Sequence, residues 1–249
     1  MKKAFWIYLT LFVLGAFLVV NGGAEAQSIT IDTGTEGGLT ERVLQLIALL
    51  TILSLAPSIV IMTTSFVRII VVLSLLRTGL GLQQSPPNAV LVSLAMFLTA
   101  FIMAPVFTQS YNEGLRPLLD NEMSMTEAFG PATEPLKTFM LMHTREDDLG
   151  LFIDMSQTAV PDTPEETSFF VVAPAFMISE LRRAFEIGFL LFIPFLVIDL
   201  VVASILMSMG MMMLPPVVIS LPFKLIFFVL VDGWRLVTGS LVQSFGTLS

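Results

Sequence analysis

Apolar residues in this chain come in long runs rather than in alternation, and each run has the length of a helix. Residues 43–67 carry no charge over 25 positions. At 1.5 Å per residue that is enough to cross a hydrocarbon core of about 30 Å. The apolar pattern continues past Arg68 to residue 76, more than one simple crossing needs. Either Pro57 kinks one long helix, or two shorter helices fold back on each other. Residues 89–107 form a second crossing-length run, joined to the first by a polar turn at 77–88 that contains Pro86 and Pro87. Residues 184–209 and 217–231 are the third and fourth runs. The pattern predicts an all-α, membrane-associated protein of hydrophobic helical hairpins with four membrane-type segments.

Between the two apolar halves the character reverses. Residues 109–180 hold 13 acidic side chains and three basic ones. Prolines at 117, 131, 135, 161 and 164 punctuate this stretch, so short helices joined by loops are expected, with helical pieces at 133–148 and 150–157. At the start, Lys2 and Lys3 precede an apolar stretch and the small-residue patch Ala24-Glu25-Ala26. That is the pattern of a secretory signal cleaved after Ala26, with an uncleaved anchor helix as the alternative. The expected organisation is a signal at 1–26, a flexible lead at 27–40 and a first apolar hairpin region at 41–108. An acidic extracytoplasmic segment at 109–183 comes next, then a second apolar hairpin at 184–249.

Composition sharpens this picture. The chain is 55% hydrophobic and only 13% charged, where a soluble domain carries roughly 25% charge. Its net charge of −8 disfavours nucleic acid as a partner. With no cysteine there is neither a disulfide framework nor a thiolate centre. Arg68 and Arg77 flank the first turn, which places that turn in the cytoplasm and the acidic segment outside. Arg182 and Arg183 then fall near the outer face, against the positive-inside rule. Some of these helices therefore need not lie in lipid.

Isolated charges in apolar surroundings are costly unless paired. Arg68, Glu186, Asp199, Lys224 and Asp232 all sit this way, and structural pairing is the expected reason. Arg182 and Glu186 are i,i+4 neighbours, while Glu180 lies off that face and is expected to reach another subunit. Between the third and fourth runs stands LMSMGMMMLPP at 206–216. Gly210 loosens it, and Pro215 and Pro216 stop a helix there. Met211, Met212 and Met213 point in different directions, so one helix face cannot bury them all. They are either core filler at a helix end or a deformable apolar loop at a constriction. Catalytic chemistry has no support: the lone His143 has no second histidine or cysteine to complete a metal shell. Phosphate-loop, zincin and nucleophile-elbow motifs are absent from the sequence, and no cofactor is expected.

These residues also form recognisable motifs. PAFMISELRRAFEIG at 174–188 resembles the signature of the P-subunit family of flagellar type III export gates, which includes the equivalent subunit of virulence injectisomes. The resemblance runs on through PFLVIDL at 194–200, MMMLPP at 211–216, PFK at 222–224 and DGW at 232–234. TSFVRI at 64–69 and QSPPN at 84–88 match the front half.

The resemblance implies a non-enzymatic, pore-forming subunit that passes unfolded rod, hook and filament proteins across the bacterial inner membrane. It implies five copies assembled with Q and R subunits into a helical channel inside the flagellar basal body. Contacts to the B and A export subunits and the MS ring are also implied, as is contact with membrane lipid. Much of that assembly would stand on the periplasmic side. Met211, Met212 and Met213 would form the gasket around the pore. A secondary transporter or ion channel is the alternative suggested by the proline-interrupted helices and embedded charges.

Overall fold

A computed structural model describes residues 38–156, 163–211 and 213–246. The expected signal segment and most of the flexible lead lie outside the described residues. The chain divides into a unit up to Ser54 and a second from Leu55 onward. Helix α1 (Gly38–Met62) carries that boundary. Within its first part, Thr51 and Ser54 return their hydroxyls to the carbonyls of Ile47 and Thr51, each at 2.7 Å. The helix runs through Pro57 and stops at Met62, so the break in the first apolar run falls at residues 63–65 rather than at the proline.

The second unit is all-helical among its described residues. Its elements are α2 (Phe66–Gly79), α3 (Asn88–Ser110), a π-turn (Tyr111–Leu115) and α4 (Arg116–Leu119), followed by α5 (Met125–His143) and α6 (Glu146–Ser156). A short 3-10 turn (Pro164–Glu166) leads into α7 (Phe169–Ser208), α8 (Pro216–Leu230) and α9 (Gly233–Gln243). Helix α7 is the axis. It packs most extensively along α2 and also meets α5, α6 and α8. Its buried positions Val172, Ala175, Phe176, Ser179, Glu180, Ala184, Gly188 and Phe195 recur at helical spacing, which gives one continuous seam. At Gly188 a Cβ would stand 2.3 Å from the Leu75 side chain, so only glycine allows α2 this close.

The helices of the acidic segment differ from the expected pieces at 133–148 and 150–157. Its two main helices are Met125–His143 and Glu146–Ser156, so the break comes at Thr144, whose extended backbone ends α5. Pro131 and Pro135 lie inside α5 without ending it. The start of α5 is fixed by a capping box. The Ser124 hydroxyl accepts from the Glu127 N–H, and the Glu127 carboxylate accepts from the Ser124 N–H at 2.9 Å. The Ser124 N–H, with the Ser124 hydroxyl also donating to the carboxylate at 2.8 Å, holds the Glu127 carboxyl below its ordinary range. At its other end the segment has no break at residues 183–184, because α7 already begins at Phe169.

Among the described residues, two stretches are long and apolar enough to cross a membrane, Asn88–Leu119 and Phe169–Ser208. A third exists if α8 and α9, bent by 63° at their junction, form one span. At 40 residues α7 extends about 60 Å, twice the thickness of a hydrocarbon core. Its length exceeds what one crossing needs, in keeping with the position of Arg182 and Arg183.

Candidate functional site

Three features stand out along α7: a buried ion pair near its start, a second polar node in its later half, and the methionine turn at its end. The first joins residues 112 positions apart. The Arg68 guanidinium on α2 meets the Glu180 carboxylate on α7 side-on, Nε donating to Oε2 at 2.8 Å and Nη2 to Oε1. Both side chains are fully buried. The remaining Nη1 donates to the Ser244 carbonyl at 3.2 Å and its hydroxyl at 2.9 Å. The Phe245 ring lies 3.7 Å from the guanidinium carbon. Such planar, bidentate pairing suits arginine and leaves few donors unmet. Glu180 therefore does not face a neighbouring subunit, as the helix pattern alone suggested: its partner is within the chain. Arg182 and Glu186 do form their i,i+4 pair, at 3.2 Å and on the surface. Arg183 is exposed beside them.

Around this pair the acidic segment is fastened to α7. The Ser179 hydroxyl donates to Asp148 at 2.6 Å and accepts from the Arg145 N–H at 3.0 Å. His143 stacks edge-on against Phe139 and Phe245, with centroids 4.7 and 5.1 Å apart. Burial, with the positive charges of Arg68 and Arg183 adding to it, lowers the imidazole pKa from 6.5 to about 4. His143 is thus a neutral packing group in the fold.

The second node ties three helices. Lys224 on α8 donates to Asp199 on α7 at 2.7 Å and to the Gly79 carbonyl closing α2 at 3.1 Å. The Ser220 hydroxyl donates to the other Asp199 oxygen at 2.5 Å. A cation at a helix C-terminus also satisfies a carbonyl with no partner inside its helix. Asp232 has a different role. With φ 51° and ψ 51° it takes a left-handed conformation between α8 and α9. Gly233 comes next because a Cβ there would lie 2.2 Å from the Phe228 ring.

The entry to the methionine turn is set by backbone hydrogen bonds. Helix α7 ends in a Schellman motif: the Gly210 N–H donates to the Met207 carbonyl at 3.1 Å, and the Met211 N–H to the Leu206 carbonyl at 2.9 Å. Gly210 has φ +74°, the left-handed position this motif requires. Pro215 then caps α8 in extended conformation and Pro216 opens it. Met213 is 98% exposed and Met211 44% exposed, so neither is core filler within this chain. Met212 lies outside the described residues. Among the described residues no group of three or more histidine or acidic side chains is placed to hold a metal ion.

Sequence patterns missed Ser179, Ser220, Ser244 and Phe245. No local signal marks them, because each is defined by a partner far along the chain.

A family model described as the FliP family matches residues 49–241, which include the charged residues of both nodes and the methionine turn. The chain is 68% identical to flagellar biosynthetic protein FliP of Caulobacter vibrioides, over 92% of this chain and 87% of that protein. Its identity to the Bacillus subtilis protein of the same name is 53%, over 87% of this chain and 98% of the relative. The Aquifex aeolicus counterpart is 48% identical over 98% of this chain and the whole of that protein.

Proposed function

This chain belongs to the FliP family, and we propose from that premise that its charged nodes hold a helical frame around a constriction made by the methionine turn. The protein is a pore-forming subunit of the flagellar type III protein export gate in the bacterial inner membrane. It passes unfolded flagellar proteins and works as part of the export-gate complex. Five copies, joined by Q and R subunits, would form the channel. All four apolar runs would contribute hairpins, and much of α7 would lie on the periplasmic side within the basal body. The B and A export subunits and the MS ring would adjoin it. No catalytic step belongs to this chain.

One observation carries the placement of the seal. The turn at 209–215 exposes Met211 and Met213 between a glycine stop and a proline start. A gate that passes many sequences cannot depend on directional polar contacts, yet it must hold back ions when empty. Thioether side chains close around a strand and relax behind it without leaving unsatisfied donors. An apolar constriction also blocks ions by dewetting.

Replacing Met211, Met212 and Met213 together with alanine tests this. The variant is expected to assemble normally, as judged by native mass, and to raise the ion leak of the resting gate severalfold. A variant that assembles and stays as tight as the parent would place the seal elsewhere.

A further inference from the structure

The feature that makes the turn deformable also makes it chemically vulnerable. Met207, Met209, Met211 and Met213 fall within seven residues, and their exposures are 59%, 62%, 44% and 98%. Met103 and Met140, by contrast, are wholly buried. Other exposed methionines, such as Met96 and Met155, stand singly within helices, and Met123 and Met125 form one exposed pair at the start of α5. Among the described residues, four accessible thioethers gather within one short segment only at the turn.

We propose that this turn is a site of reversible two-electron oxidation, in which sulfoxides at Met211 and Met213 open the seal to ions. The oxidant class is hypochlorous acid or a peroxide. With hypochlorous acid the sulfur lone pair attacks and the oxygen is retained on sulfur. The oxygen–chlorine bond breaks, chloride leaves with the electron pair, and one proton is released. Sulfur is oxidised by two electrons and chlorine is reduced by two. Each event turns a flexible apolar side chain into a polar one with a strong acceptor oxygen. A constriction that excluded water by dewetting then offers water a hydrogen-bond partner. Enzymatic reduction restores the thioether, with two thiols supplying the electrons and water leaving. The backbone survives either state, since the Schellman bonds at Gly210 and Met211 involve no side chain.

The inference rests on the turn being the seal, and the test separates the two. The complete gate complex, reconstituted in liposomes, is titrated with hypochlorous acid while ion leak is followed and sulfoxides are mapped by peptide mass spectrometry. Met211 and Met213 are expected to oxidise well ahead of Met103 and Met140. The leak should rise severalfold in step, and fall again on treatment with the two epimer-specific methionine sulfoxide reductases. Loop methionines no faster than the buried pair, or a leak that repair does not reverse, would overturn the inference. The untreated triple-alanine gate serves beside it. If that gate is tight, the seal assignment itself fails and the inference with it. If it leaks while the oxidised parent does not, only the oxidation inference is lost.

Discussion

The two ends of α7 are built on opposite plans. Near its start, Glu180 and Ser179 are wholly buried and bonded to side chains from α2 and α6. At its far end, Met211 and Met213 are exposed, and the helix is closed by backbone hydrogen bonds and a left-handed glycine. The first arrangement is unforgiving, because a buried charge has no alternative partner if its own is lost. The second is forgiving, because apolar contacts have no direction. A conduit needs both: a frame that keeps its register, and a rim that gives way. The difference lies in which end carries side-chain polarity under apolar cover.

The sharpest way to break this comparison is to remove one charge of the buried pair. Arg68→Met leaves Glu180 facing apolar neighbours, and Glu180→Ala strands the guanidinium. Each is expected to lower stability by about 3–5 kcal/mol. Removing both together should cost much less than the sum. Arg182→Ala, at the exposed pair two residues further along α7, is the control and should cost under about 1 kcal/mol. Thermal unfolding of detergent-purified protein gives the ordering. Equal effects at the two sites would show that the buried pair does not frame the helix.

Parts of this contrast were legible in the sequence and parts were not. The turn could be found locally because Gly210, Pro215 and Pro216 act through their own backbone conformations. The Arg182–Glu186 pair could be found because helical spacing alone brings the two together. Charges stranded in apolar runs, such as Arg68 and Lys224, announced that partners must exist. Which partners they choose is a property of tertiary packing. Arg68 meets Glu180 only because Gly188 and its neighbours let α2 lie close along α7, and Lys224 meets Gly79 only once three helices have assembled. The start of α7 was misplaced for a related reason. Residues 169–183 mix apolar and charged positions, and only their burial against α2, α5 and α6 joins them into one helix with residues 184–208.

A milder test acts on the packing around the pair. His143 is neutral in the fold because burial lowers its pKa from 6.5 to about 4. Its folded pKa lies below the unfolded value, so between these values the unfolded chain binds a proton that the native chain does not. The stabilisation is fully present above pH 6.5 and is lost as pH falls toward 4. Allowing for partial solvent screening, the loss amounts to about 2 kcal/mol. Carboxylates also titrate in the lower part of this range, so the measured quantity is the difference between the parent and His143→Phe. That difference should shift against the parent on acidification between pH 6.5 and 4. A difference that does not change with pH would mean that His143 is already solvated.

At the forgiving end the expected cost is far smaller than at either member of the buried pair. Gly210 has φ +74° and, among the described residues, nothing within 4 Å of where a Cβ would stand, so a side chain there meets backbone strain and no clash with them. Gly210→Ala should therefore cost only about 1 kcal/mol, much less than either change at the buried pair. Its consequence should be functional instead. Straining the left-handed residue weakens the bonds from Gly210 to Met207 and from Met211 to Leu206, and these set where the methionine turn leaves the helix. Asparagine tolerates the left-handed region better than other side chains do. Gly210→Asn should consequently retain the tightness of the resting gate, while Gly210→Val should leak most, with Gly210→Ala between them. Ion leak and unfolding temperature, measured together across the three variants, decide the matter. A leak that follows side-chain volume and ignores backbone preference, with asparagine as leaky as valine, would show that the turn is shaped by packing against its neighbours rather than by the glycine.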